Sequence, residues 1–210
     1  MADVHVESWL SDLSDAIAIA THLGQRIVVM GTSTGGTLAS TIPLYPRLEA
    51  AVDAIVFISP NFGTQNRTAA VAGWPGADLW LPLVAGRRLK WDSKSATHSQ
   101  YWTLDYKPQA LIPMISLINA INQADLSQTN IPALFIFSDQ DKVVRPELTQ
   151  ALVKRWGKND IARVYQPKLT EEDDIDAHVI AGDVQSPNQN TIIVDIVSSW
   201  VAETLDTSPK

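Results

Sequence analysis

The sequence contains no cysteine, which excludes disulfides, thiolate metal sites and a cysteine nucleophile. Positive charge is also scarce, since 16 Lys and Arg stand against 23 Asp and Glu for a formal net charge of −7. Without a compensating basic cluster, that balance argues against a nucleic-acid surface. The one locally basic stretch, Arg87-Arg88-Leu89-Lys90, reads as a solvated face. No apolar run approaches the ~20 residues of a membrane span, so stable membrane insertion is not expected. The N-terminal Met1-Ala-Asp-Val-His-Val-Glu7 lacks a basic segment followed by an apolar one, and no secretory leader is read there. The expectation is a soluble, cytoplasmic protein.

What the chain does have is enough apolar material for one globular domain: 210 residues, 45% hydrophobic and 19% charged. Its most informative stretch is Arg26-Ile-Val-Val-Met30 running into Gly31-Thr32-Ser33-Thr34-Gly35-Gly36. A buried, β-branched strand stops at Gly-x-Ser-x-Gly, and Thr37 to Ser40 can start a helix. That is the layout of a nucleophile elbow, a tight strand-to-helix turn that pushes a serine hydroxyl out of the sheet to where a base can reach it. Gly31 and Gly35 are expected to remove β-carbons that would clash where strand and helix converge. Thr34 would lend its backbone N–H to a developing oxyanion. The motif alone is weak evidence; the strand before it and the partners after it give it weight.

Trp9 to Leu23 carries apolar residues spaced for one helix face, with Gly24 as its stop. Ala54-Ile-Val-Phe-Ile58, Ala133-Leu-Phe-Ile-Phe137 and the weaker Ala162-Arg-Val-Tyr165 read as further strands, with helices over Glu147–Trp156 and Thr191–Leu205. Strands apolar on both faces, alternating with helices, predict an α/β fold in which a mostly parallel sheet is covered on both sides. Between Asn61 and Asn130 the pattern changes, and Trp74, Trp80, Trp91 and Trp102 fall among prolines in a stretch too long for a simple loop. It reads as an inserted, helical lid. The domain therefore divides into core at 1–60, lid at 61–130 and core at 131–210.

A serine nucleophile needs a base and an orienting acid, which in such a sheet belong after later strands, acid first. The strand ending at Phe137 is followed by Ser138-Asp139-Gln140-Asp141, and spacing does not choose between Asp139 and Asp141. Of the four histidines, His5 is terminal, His22 closes a helix and His98 lies in the lid, whereas His178 follows the last strand. Position favours His178. The acidic run Glu171-Glu172-Asp173-Asp174, with Asp176, lacks the spaced ligands and central glycine of a calcium loop and reads as a solvated face whose field favours a protonated His178. No metal or organic cofactor is expected.

Gly31-Thr-Ser33-Thr-Gly35-Gly36, Asp139-Gln-Asp141-Lys-Val-Val144 and His178-Val-Ile-Ala-Gly-Asp183 together resemble the α/β-hydrolase superfamily, and within it the serine carboxylesterases related to lysophospholipases and monoacylglycerol lipases. The resemblance covers essentially the whole chain. It implies Asp141 as the acid, because in that family the acid precedes a Val-Val pair by two residues, and it implies His178 as the base. The implied activity is hydrolysis of small-molecule carboxylic esters through an acyl-enzyme on Ser33. The front departs from the family, which usually has roughly 80–100 residues and several strands ahead of the elbow. A shortened sheet would have an open edge and lack the loop that supplies a second oxyanion donor. The expectation is a fragment or mis-started frame of a full hydrolase, with an edge through which two copies could pair. The alternative is a non-catalytic binding protein of the same fold.

Overall fold

The computed structural model describes residues 5–158 and 160–207; residues 1–4, part of the stretch in which no leader is read, lie outside them. The first helix, α1 (Val6–Leu23), turns Leu13, Ile17 and Ala20 onto the core. It ends at Gly24 in extended backbone, without a left-handed turn. β1 (Val28–Thr32) begins two residues later than the apolar run predicts. The reason is Asp53, whose carboxylate accepts from the Arg26 guanidinium and from the Ile27 N–H, both at 2.7 Å, so that strand pairing starts only at Val28.

After the elbow come α2 (Thr34–Ala39), a 3₁₀ turn at Ile42–Leu44 and α3 (Pro46–Glu49). Pro43 and Pro46 sit in the first turns of the latter two, where a missing N–H is not needed. β2 (Ala54–Ile58) has the predicted bounds. The stretch that follows holds α4 (Ala77–Ala85), β3 (Leu89–Lys90), α5 (Ala96–Tyr101), β4 (Asp105–Tyr106) and α6 (Leu111–Gln123). It is thus not purely helical, since β3 and β4 pair as a short antiparallel ribbon. β5 (Ala133–Ile136), α7 (Pro146–Val153), β6 (Ala162–Tyr165) and α8 (Asn190–Thr207) complete the chain.

The main sheet has the order β1-β2-β5-β6 and every pair is parallel. Period-2 alternation divides its residues between two apolar clusters. Ile55, Phe57, Ala133 and Phe135 meet α1, α2, α6 and α7, with Phe57 stacked on Phe135 at 4.5 Å and Trp156 edge-on to both. Val56, Leu134 and Ile136 face α8 through Ile193, Ile196, Val197 and Trp200. That cover stops at β2. Met30, registered beside buried Val56, is 55% exposed on β1, which among the described residues pairs with β2 alone. A third cluster, built from Ala72, Leu81, Ile115 and Ile118, holds α4 against α6 and leaves Leu79, Leu83 and Val84 exposed on α4's other side. Among the described residues no helix is long and apolar enough to cross a membrane.

Candidate active site

Parallel strands deliver their carboxyl ends to one edge of the sheet, and the predicted side chains sit there. Ser33 follows β1 with φ 52° and ψ −122°, a backbone region that non-glycine residues rarely occupy. The turn is held on both sides. The Ser33 N–H donates to Ile58 O at 2.9 Å, and its carbonyl accepts from the Gly36, Thr37 and Asn61 N–H groups at 2.9, 3.3 and 3.0 Å. Thr37 Oγ1 in turn donates to Asn61 O, so buried Asn61 binds the end of β2 to the elbow.

The glycines divide differently from expectation. A β-carbon on Gly31 would lie 2.6 Å from Gly35 O and 2.9 Å from Gly36 Cα, and one on Gly36 would lie 2.9 Å from Pro60 Cβ. One on Gly35 would meet nothing within 4 Å, because this residue faces solvent. Gly35 therefore gives no steric relief at the crossing; Gly31 and Gly36 do. Gly31→Ala is expected to destabilise the protein by about 3 kcal/mol, since only backbone can yield to the added methyl. Gly35→Ala, at a helical position, should be neutral or stabilising by up to about 1 kcal/mol. Urea unfolding midpoints of the two variants check both signs.

Ser33 Oγ lies 3.1 Å from His178 Nε2, and His178 Nδ1 lies 2.8 Å from Asp141 Oδ2. The Asp141 side chain is 1% exposed and its other oxygen accepts the Val143 and Val144 N–H groups, both at 2.8 Å. Those two bonds fix which oxygen faces the imidazole. Asp139 points elsewhere, accepting from Gln150 Nε2 on the surface. His5 caps α1 and His22 is in its last turn. Buried His98 accepts the Lys94 N–H through Nδ1 at 3.0 Å and packs on Trp102. The Thr34 N–H is the first of α2 and has no intrahelical partner.

Asp174, read in the sequence only as part of an acidic face, belongs to this neighbourhood. Its Oδ2 accepts the N–H groups of His178 and Val179 at 3.1 and 2.9 Å, and its Oδ1 meets Lys94 Nζ at 2.6 Å. Lys94 also reaches Asp176 Oδ2 at 2.6 Å. Burial opposes ionisation of Asp174, but the Lys94 hydrogen bond and the two backbone donors outweigh it, and its carboxyl is held below the ordinary 3.8. Burial likewise works against charge on Lys94, yet its bonds to Asp174 and Asp176 raise it above the ordinary 10.5. Asp174 thus contributes stability that is present above pH 3.8 and lost as pH falls through its depressed value. Lys94 contributes stability that is present below pH 10.5 and lost as pH rises through its raised value. Both groups are charged across the whole neutral range. The available signal for Asp174 was its place four residues before the histidine; its cation lies 80 positions away.

Among the described residues no group of three or more His, Asp or Glu side chains is placed to hold a metal ion. A groove of about 730 Å³ between α1 and α3, lined by Leu10, Ile17, Tyr45 and Leu48, includes none of Ser33, Asp141 and His178.

A family described as serine aminopeptidase, S33, matches residues 4–170, a span that stops short of His178. No curated protein matches. Among solved structures, the chain is similar to a metagenome-derived lipolytic enzyme of the LipS and LipT pair, with 16% identity, a TM-score of 0.73 and coverage of 96% of this chain and 75% of that one. The monoacylglycerol lipase of Paleococcus ferrophilus gives 14% identity, a TM-score of 0.64 and coverage of 96% and 76%. A soluble variant of monoglyceride lipase from Saccharomyces cerevisiae, in complex with a substrate analogue, gives 9%, 0.65, and 94% and 68%. At these identities the likeness is one of fold.

Proposed function

Because the chain belongs to the serine aminopeptidase, S33, family of α/β hydrolases, we propose that it cleaves carboxylic esters through an acyl-enzyme on Ser33. The observation that carries this reading is the unbroken relay from Ser33 Oγ through His178 to Asp141, at 3.1 and 2.8 Å. His178 Nε2 takes the serine proton as Oγ bonds to the ester carbonyl carbon, and the Thr34 N–H donates to the oxyanion. The imidazolium returns that proton to the departing alkoxide as the carbon–oxygen bond breaks. Water then attacks the acyl carbon, giving a proton to His178, and as the bond from that carbon to Ser33 Oγ breaks the proton passes to Oγ and the carboxylic acid leaves. Asp141 keeps the Nδ1–H tautomer and stabilises the imidazolium throughout.

Amide cleavage at a peptide N-terminus is the second reading, favoured by the family's description. It asks for a carboxylate free to meet an α-ammonium group. Asp141, Asp174 and Asp176 are already engaged with the imidazole, backbone N–H groups or Lys94, which favours esters.

The test pairs fluorophosphonate labelling with p-nitrophenyl acetate, butyrate and octanoate beside leucine p-nitroanilide. We expect one label per chain, mapped to Ser33, and a burst of p-nitrophenol equal to the enzyme concentration before steady ester turnover. Anilide turnover exceeding ester turnover would transfer the reading to the peptidase. Absence of both label and turnover would overturn it.

A further inference from the structure

Residues 86–110 carry β3, α5 and β4, yet none of them enters any of the three apolar clusters. Arg88 pairs with Asp105 and the Trp91 indole donates to Tyr106, so the ribbon is stitched to itself. Among the described residues, the ion pairs that join it to the rest of the molecule are those of Lys94 with Asp174 and Asp176. Lys94 is itself set in place, because its N–H donates to His98 Nδ1 and the His98 N–H donates to Ser95 Oγ. The receiving carboxylate is the one that holds the backbone of His178 and Val179. That stretch of chain is strained, with Ala177 at φ 53°, and needs such a hold.

We propose that Lys94 is a positioning residue for His178: by neutralising Asp174 across the ribbon-to-core gap, it couples the seating of the β3–β4 ribbon to the orientation and proton affinity of the general base. This rests on the reading of His178 as that base. Asp141, from the loop after β5, meets the His178 imidazole and Asp174 accepts the His178 backbone N–H, while Lys94 of the ribbon bridges Asp174 and Asp176 on that same loop and Lys142 Nζ donates to Ile175 O. Removing the Lys94 cation leaves two aspartates without their cation on the loop that carries the imidazole. An uncompensated carboxylate favours the imidazolium, so the neutral base would form only at higher pH.

The experiment compares Lys94→Met, Lys94→Arg and the double variant Lys94→Met/Asp174→Asn with the unaltered chain in pH profiles of ester kcat/KM. Lys94→Met should move the acid limb up by about half a pH unit, a charge effect moderated by partial exposure. It should lower kcat about 10-fold through loosened geometry, with KM within about twofold. Lys94→Arg should keep the original profile, and the double variant should bring the acid limb back, because losing the Asp174 charge along with the Lys94 charge restores the net charge of the Lys94–Asp174–Asp176 cluster. If the ribbon were only an anchored flap, KM would rise while the acid limb stayed in place, and the proposal would be overturned. Amide hydrogen exchange over residues 174–182 reads the same coupling without turnover. Faster exchange in Lys94→Met but not in Lys94→Arg supports it, and unchanged exchange sinks it, whether or not the unaltered chain hydrolyses esters.

Discussion

Ser33→Ala is expected to lower ester turnover by at least ~10⁴-fold and to abolish fluorophosphonate labelling, with the folded state unharmed. Among the described residues the hydroxyl's one polar partner is His178 Nε2; the bonds that build the elbow come from the Ser33 backbone and survive the change. Alanine meets the same steric conditions as serine at φ 52°, so the unfolding free energy should stay within about 0.5 kcal/mol. What is lost is the nucleophile. His178 could still direct a water, but a water is not held in the attacking geometry that the turn imposes on Oγ. Removing His178 as well should then cost almost nothing further, because members of one relay do not contribute additively. Retained ester hydrolysis in Ser33→Ala would mean that some other nucleophile attacks the activated esters, and Ser33 would be a turn residue only.

Legibility followed the kind of force that holds each element. β2 and β6 have the predicted bounds, and β5 departs by one residue, since these strands are delimited by local chain composition. β1 slid by two residues because Asp53, 26 positions from Ile27, satisfies the chain before the sheet does. The ribbon β3–β4 left no periodicity to read: two-residue strands are held by Arg88 on Asp105 and Trp91 on Tyr106, pairs visible only once the chain has turned back. Within the site, the strand-to-helix turn could be read because its chemistry is compressed into six consecutive residues, Gly31 to Gly36. Which of those glycines is sterically required could not, as Gly36 answers to Pro60 on another strand's end and Gly35 to open solvent. The role of Asp174 was hidden for a similar reason. A run of carboxylates looks solvated until one of them is seen buried under a lysine from the ribbon.

The choice between the two aspartates after β5 has an equally sharp expected result. Asp141→Asn should reduce kcat/KM by about 10³–10⁴-fold near neutral pH, whereas Asp139→Asn should stay within about twofold. The argument is one of tautomers. Asp141 Oδ1 accepts the Val143 and Val144 N–H groups, and an asparagine oxygen can keep both bonds. The amide NH₂ must then face His178 Nδ1, at the place where Oδ2 now stands at 2.8 Å. A donor there requires Nδ1 to be the unprotonated nitrogen, which puts the imidazole proton on Nε2, toward Ser33. His178 would then present a proton to the nucleophile instead of a lone pair. The fold should tolerate the exchange, because shape and backbone bonds are retained, so circular dichroism and the urea midpoint separate this outcome from unfolding. Asp139 meets only Gln150 at the surface and an asparagine oxygen can still accept that bond. Equal losses in both variants would detach the acid's role from the imidazole contact, and full activity in Asp141→Asn would remove Asp141 from the relay altogether.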